Sequence, residues 1–404
     1  MIKERTLKQP LSKAAKAFKV ILLTGMRQVG KTTLLKSLAT PERRYVSLDN
    51  HDDLRLARED PKMFFQVHRP PLIIDEVQYA PELFPCIKML VDDSDERGRI
   101  WMTGSQQFSM MKNVTESLAG RVAIFDLMGL SIDERRGNGA KQMPFIPAPI
   151  FRTDKSPVDA NTIFEWIWRG AFPDALLEFP EHWGTFYESY LRSYIERDLR
   201  QLTQIGDELA FLRFLRIIAA RTAQELNIAD IARDAEISHV TAKKWLSILV
   251  ASNIVILLQP YFKNISKRLA KSPKIYFADT GLCAYLTSWL TPQTLASGAM
   301  SGAFFETFVV TEIYKSHLHN GLHPPMYFLR DSNQVEIDLL IERDGKLHPI
   351  EIKKTANPTP AMCKNFEKFR AAGIDNLGYG AVVCMTDAIR PLNENAVAFP
   401  VWAL

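Results

Sequence analysis

Gly25 and Gly30 bracket the four residues Met26-Arg27-Gln28-Val29 and are followed at once by Lys31, Thr32 and Thr33. This is the G-x-x-x-x-G-K-[ST] spacing of a loop that holds phosphate. The chemistry requires these residue types. Glycines let the backbone curl so that successive N–H groups, including those of Arg27, Gln28 and Val29, point at phosphate oxygens. A helix starting near Lys31 adds the positive end of its dipole. Lys31 has the reach for the β- and γ-phosphates of a nucleotide, and the Thr32 hydroxyl can ligate Mg²⁺.

A second chemical stretch is Pro71-Leu72-Ile73-Ile74-Asp75-Glu76, a buried-strand pattern ending in two acids. Beside a phosphate loop, Asp75 is expected to hold Mg²⁺ opposite Thr32, and Glu76 to polarise the attacking water as general base. Two acids at a strand end also suit a helix N-cap, but the intact loop favours the metal reading. A third apolar run, 99–103, ends in Gly104-Ser105-Gln106-Gln107. Ser105 and Gln106 are the residues placed to sense the γ-phosphate, or else simply cap the next helix. Arg121 follows Gly120 at a helix end. It is expected either as an arginine finger for a neighbouring subunit or as an ordinary charge on a helix terminus.

A separate constellation lies near the C-terminal end. Two alternating runs, 335–341 and 347–354, are joined by the hairpin signal Asp344-Gly345. Alternation puts Glu336 with Asp338 on one face, and Glu351 with Lys353 on one face. An acid on one strand and E-x-K on the next is the signature of the PD-(D/E)xK nuclease core. Asp338 and Glu351 would hold a second divalent metal, Lys353 would steady developing charge, and Glu306 from the preceding helix would complete the site.

These residues need elements to position them. The basic stretch 1–20 reads as a helix packed on the core in preference to a free arm. Strands are expected at 21–24, 44–49, 71–75, 99–103 and 122–127, with one helix over 54–65. Residues 134–160 are rich in Gly, Pro and Asn and read as a linker or insertion. Helical spacing follows at 163–168 and 183–202. Residues 228–246 resemble a helix-turn-helix: Ala232 permits close crossing, Ile237 plugs the turn and Ser238 caps the second helix. Strands at 254–258 and 274–278 flank a stretch carrying Lys263, Lys267, Arg268, Lys271 and Lys274 with no acid, which reads as a basic wing. Together with Lys243 and Lys244 it is the footprint of phosphate-backbone contact with DNA, unless it is merely solvated.

The chain has 404 residues, 47% hydrophobic and 24% charged, with net charge +4. These are the proportions of a soluble multidomain protein. No stretch has membrane-span length, and the first residues lack a secretory apolar core. Cys86, Cys283, Cys363 and Cys384 have no metal spacing, which suits a reduced, cytoplasmic setting.

Taken in order, the motifs make the chain resemble the bacterial and archaeal family of AAA+-type ATPases that carry a winged helix and a restriction-endonuclease-like C-terminal domain. The resemblance rests on Thr24 to Thr32, Tyr45-Val46-Ser47-Leu48-Asp49, Ile74-Asp75-Glu76-Val77-Gln78, Thr103 to Phe108, Ser117-Leu118-Ala119-Gly120-Arg121 and Ile350-Glu351-Ile352-Lys353. It implies ATP and Mg²⁺ as cofactors, an arginine finger at Arg121, and assembly into a ring such as a hexamer. The expected fold is α/β: a P-loop NTPase domain with a parallel sheet over 1–150, a helical lid over 151–205, a winged helix over 206–295 and a nuclease-like domain over 296–404. The expected function is an ATPase working on DNA, with branched DNA in repair or recombination as one substrate. The rival is an ATP-dependent assembly switch with protein partners and an inactive nuclease-like domain.

Overall fold

The computed structural model describes residues 3–104, 114, 117–149, 153–179, 181–193, 208–262, 272–331, 335–371, 373–374 and 376–404. Helix α1 (Lys8–Ala15) leads into β1 (Val20–Gly25), the phosphate loop and α2 (Lys31–Leu38). Then come β2 (Arg44–Ser47), α3 (His51–Glu59), α4 (Pro61–Val67), β3 (Leu72–Asp75), α5 (Leu83–Asp92), β4 (Ile100–Thr103) and β5 (Val122–Leu127). The five strands form one sheet in the order β2-β3-β4-β1-β5, every neighbour parallel.

Every residue of β1 is buried, as a parallel strand covered on both faces must be. Ile21 and Leu23 enter one core and Val20 and Leu22 the other, the period-two alternation of a strand. Because the strands are parallel, the loop after β1 and the acids after β3 emerge at the same edge. Strand β4 separates them, so they stand about 10 Å apart at the usual strand spacing. That gap is what the first turn of α2 spans.

The expected N-terminal helix is present as α1, with Leu7 and Leu11 buried. The single helix expected over 54–65 is instead two. The Asp60 side chain accepts from Met63 N and Pro61 opens α4, so the chain stops and recaps there.

After β5 the chain forms α6 (Ile132–Arg135), α7 (Ala160–Arg169), α8 (Pro173–Leu177) and α9 (Trp183–Ser193). A further unit follows: α10 (Glu208–Ala220), β6 (Gln224–Glu225), α11 (Ile228–Asp234), α12 (His239–Ala251), β7 (Val255–Leu258) and β8 (Lys274–Phe277). Its antiparallel sheet has the order β6-β8-β7. Ser238 accepts from Thr241 N at 3.0 Å and starts α12. Ala232, Trp245, Leu246 and Leu249 are buried.

Helices α13 (Thr280–Leu286) and α14 (Pro292–Ser297) precede the long α15 (Ser301–Leu318). The last sheet comprises β9 (Met326–Arg330), β10 (Glu336–Arg343), β11 (Lys346–Ile352), β12 (Gly380–Cys384), β13 (Arg390–Asn393) and β14 (Ala396–Pro400), with α16 (Lys364–Ala371) between β11 and β12. The order is β13-β14-β12-β11-β10-β9. Strands β9, β10 and β11 are antiparallel, and β11, β12 and β14 are parallel. Asp344 and Gly345 both have positive φ, 51° and 74°, as a two-residue primed turn needs.

Helix α15 is buried on nearly all sides. Phe304, Phe308 and Ile313 join Phe172, Tyr187 and Leu282 in one core that runs through every unit. Each such side chain contributes about 1.5–3 kcal/mol on burial. No helix of the described residues is long and apolar enough to cross a membrane.

Candidate active site

The loop's backbone explains its glycines. Gly25 has φ of 137°, and a Cβ there would stand 2.1 Å from the Leu127 carbonyl oxygen. Gly30 has φ of 90° and caps α2 in the left-handed region. Gln28 also has positive φ, 60°. Val29 contributes backbone only, since its side chain is wholly buried.

Lys31 is buried, and its ammonium donates to the carbonyls of Gly25 at 3.1 Å and Met26 at 2.8 Å. The Thr32 hydroxyl donates to both Asp75 oxygens at 2.9 Å. Asp75 is 7% exposed and also accepts from the Tyr45 hydroxyl at 2.8 Å and from the Thr103 hydroxyl. Three hydroxyls therefore fix one carboxylate. Glu76 sits next to it with φ of 58°, a left-handed conformation costly for a side-chain-bearing residue and common at working sites. Its N–H donates to Thr103 Oγ1 at 3.3 Å, and its carboxylate accepts from Gln78 Nε2.

These groups line a cavity of about 580 Å³, within the usual size of a small-molecule site. Arg27, Gln28, Lys31, Thr32, Thr33 and Glu76 form one part of its wall. The N-terminal segment supplies Lys3, Arg5 and Lys8, and later segments supply Leu130, Pro173 and Leu177. The wall carries both signs of charge: Lys3, Arg5, Lys8, Arg27 and Lys31 stand with Glu4, Glu76, Asp174 and Glu178, and the bases gather around the loop where a polyphosphate would lie, with Leu130, Pro173 and Leu177 supplying apolar surface. Thr32 and Asp75 offer hard oxygen donors on facing elements, which fits Mg²⁺.

Sequence reasoning missed Tyr45, Thr103, Arg5 and the α8 residues as parts of this site. Ser105 and Gln106, the expected sensors, lie outside the described residues. Arg121 lies elsewhere. Its carbonyl accepts from Val20 N at 3.1 Å, which puts it at the start of β5, about 16 Å from the loop along the strand. It pairs with both oxygens of Asp92. Arg121 therefore takes no part in its own chain's cavity.

The C-terminal constellation does converge. Lys353 Nζ is 3.1 Å from Asp338 Oδ2 and 2.6 Å from Glu351 Oε2. Asp338 Oδ2 also accepts from Ile352 N at 2.8 Å. Glu306 accepts from the Tyr276 hydroxyl at 2.7 Å and from Lys274 at 3.1 Å, and Lys274 pairs with Glu336 as well. Burial, then the neighbouring Asp338 charge, pushes the Glu351 carboxyl up to about 8, against the pull of Lys353. Burial also raises Glu306, against the Lys274 charge.

Lys274 belongs to the stretch that reads as a basic wing, but it faces inward and is 5% exposed. The expected second metal finds no matching donor set: among the described residues no three His, Cys, Asp or Glu side chains are arranged to hold an ion. Lys353 bridges the acid pair instead.

Of the DNA-contact candidates, Lys243 and Lys244 are exposed on α12. Lys263, Lys267, Arg268 and Lys271 lie outside the described residues.

A parallel sheet with a phosphate loop after β1 and an acid at the end of the strand two places away is the arrangement of a P-loop ATPase domain of the AAA type. The family model described as an AAA domain matches residues 17–135, and two domains of unknown function, DUF8612 and DUF4143, match 160–293 and 301–404. The chain is 30% identical to the uncharacterized protein Rv2008c of Mycobacterium tuberculosis over 403 residues, 99% of this chain and 84% of that protein. The uncharacterized Mb2031c of Mycobacterium bovis matches equally. The chain belongs to the same family as these mycobacterial proteins, a family with an AAA-type ATPase domain. Among solved structures, the Walker-type ATPase PABY2304 of Pyrococcus abyssi aligns at TM-score 0.41 and 16% identity over 70% of this chain and 96% of that one. RuvB of Thermotoga maritima aligns at 0.31 and 16% over 66% and 94%.

Proposed function

We propose that this protein is a Mg²⁺-dependent ATPase that acts on DNA. The carrying observation is the Thr32–Asp75 contact beside Lys31, at a cavity of nucleotide size whose loop side carries Arg27 and Lys31. Mg²⁺, when bound, neutralises phosphate charge and orients the β- and γ-oxygens. Lys31 releases the Gly25 and Met26 carbonyls and turns to the phosphates. Glu76 accepts the proton of the attacking water. Thr103 and Tyr45 hold Asp75 in place.

Two observations support the DNA part. The helix–strand–helix–helix–strand–strand order of residues 208–277 supports a winged-helix reading of this unit. Helix α12 leaves His239, Val240, Lys243, Lys244 and Ser247 exposed at helical spacing, the arrangement of a helix that reads a groove. The order α15–β9–β10–β11–α16–β12, with Asp338 and E-x-K on adjacent strands, supports a nuclease-like reading of the last domain. Arg121, displaced from its own cavity, suits service to a neighbouring subunit in a ring.

The alternative is an ATP-driven assembly switch with protein partners and an inactive nuclease-like domain. What favours it is that Lys353 and Lys274 already neutralise the acids. The deciding experiment is ATP hydrolysis with and without duplex, single-stranded and four-way-junction DNA, with Glu76→Gln as control. Stimulation by one DNA form, lost in the control, supports the DNA reading. Turnover indifferent to every DNA supports the switch.

A further inference from the structure

Arg5 is 7% exposed and does three things at once. Its Nη1 donates to the carbonyl of Val29, inside the phosphate loop, at 2.9 Å. Its Nη2 donates to the carbonyl of Met128, just beyond β5, at 2.6 Å. Its Nε lies 3.1 Å from Glu134 Oε1. A planar guanidinium suits this task because its donors diverge in fixed directions.

Glu134 is fully buried and held from several sides. It accepts from Thr6 N at 2.9 Å and from Ser131 N at 3.0 Å. His319 Nδ1 is 3.3 Å from Glu134 Oε1, and Met128 N donates to His319 Nε2 at 3.2 Å. His319 is the residue that ends α15. The same end of α15 is fastened twice more: Lys315 Nζ donates to Leu130 O at 3.1 Å, and Glu312 accepts from Ile132 N at 2.9 Å. Glu306, in the C-terminal acid cluster, lies thirteen residues earlier on the same helix, about 20 Å away at 1.5 Å per residue.

We propose that Arg5 is the positioning residue of the phosphate loop, and that its pairing with Glu134, closed by His319, links the loop's nucleotide state to α15 and so to the C-terminal domain. This rests on the nucleotide-site reading. A loop carbonyl must keep or lose its Arg5 bond when the loop closes on phosphates, and any such change reaches His319 through one shared carboxylate. By linkage the effect is reciprocal: altering His319 alters nucleotide affinity, although His319 is buried outside the cavity wall.

The test uses the full chain, a fluorescent ATP analogue and steady-state hydrolysis, with wild type, Lys31→Ala, His319→Leu, His319→Asn and Arg5→Lys. His319→Leu removes both ring contacts, whereas His319→Asn keeps a donor for Glu134. The expected result is that His319→Leu raises KM and the dissociation constant at least about tenfold, with kcat within about threefold, and that His319→Asn recovers most of the affinity. Arg5→Lys keeps a charge for Glu134 but cannot hold two carbonyls. It is expected to raise KM similarly, and it carries the test if His319→Leu does not fold. Hydrogen exchange over residues 312–320 should slow when nucleotide binds wild type. Wild-type affinity in both His319→Leu and Arg5→Lys, equal loss in His319→Leu and His319→Asn, or no change in exchange would overturn the link while the nucleotide site stands. Absence of binding by wild type would remove the nucleotide reading and this link with it.

Discussion

The Thr32 hydroxyl lies 2.9 Å from both carboxylate oxygens of Asp75, although the two residues belong to α2 and β3 and β4 lies between β3 and β1, the strand that leads into α2. A hydroxyl and a carboxylate this close form a ready pair of oxygen donors for a small, hard cation. Asp75→Asn removes the charge but keeps the shape. Its ATP affinity should no longer respond to Mg²⁺, and turnover should fall roughly 100-fold or more. Calorimetric titration with ATP in Mg²⁺ and in EDTA measures the first effect.

Glu76→Gln should separate binding from chemistry. The amide cannot take a proton, so turnover is expected to drop by about 10²–10⁴ while ATP affinity stays within a few-fold. A coupled phosphate-release assay beside a binding titration reads both. Equal losses in affinity and turnover would instead mark Glu76 as a loop-shaping residue.

Gly25→Ala should damage the fold itself. The added Cβ would meet the Leu127 carbonyl oxygen, a backbone atom of a paired strand that cannot move aside, and φ of 137° adds strain. A loss of about 3 kcal/mol or more, or insoluble protein, is expected. Gly120→Ala is the control, with positive φ but nothing within 4 Å. It should cost only about 1 kcal/mol. Urea unfolding compares the two.

Glu351 makes stability depend on pH. Its carboxyl is raised in the fold to about 8, by burial first and then by Asp338, against an ordinary value of 4.5. The group stays protonated more readily when folded than when unfolded. Its contribution is thus complete below 4.5 and is lost as the pH rises to about 8. Glu351→Gln should flatten the fall in thermal midpoint between pH 5 and pH 8.5. An unchanged slope would mean that Lys353 keeps the carboxylate ionised throughout.

If α12 faces DNA, replacing both Lys243 and Lys244 by alanine should reduce the slope of log K against log salt by about two. Fluorescence anisotropy with labelled duplex at several salt concentrations measures it. An unaltered slope would place the DNA surface elsewhere.

The phosphate loop and the acid pair 75–76 were readable because the residues that cooperate are close in sequence and each follows an apolar strand. Tyr45 and Thr103 were not, because both meet Asp75 from neighbouring strands and only strand order and register put them there. The inward aim of Lys274 is hidden in the sequence for a related reason. Counting charge along a stretch does not say which way a side chain points, yet alternation in β8 puts Lys274 and Tyr276 on one face, where both reach Glu306. Arg5 was hidden in a run of bases, and its partners are 24, 123 and 129 positions away. The E-x-K hairpin was legible as far as its turn and faces, but the clasp of Lys353 between the two acids is a matter of side-chain reach.

Lys274 also bears on how such a protein can be taken apart. It stands on β8, while its partners Glu306 and Glu336 stand on α15 and β10, across the boundary between the two matched domains of unknown function. Backbone pairing crosses the same line, Tyr261 N to Phe328 O at 2.6 Å and Phe328 N to Gln259 O at 3.1 Å. A cut between residues 293 and 301 would strand an ammonium on one fragment and two half-buried carboxylates on the other, at about 3–5 kcal/mol for the broken pairing. The seam drawn by sequence families is a weld in the folded chain.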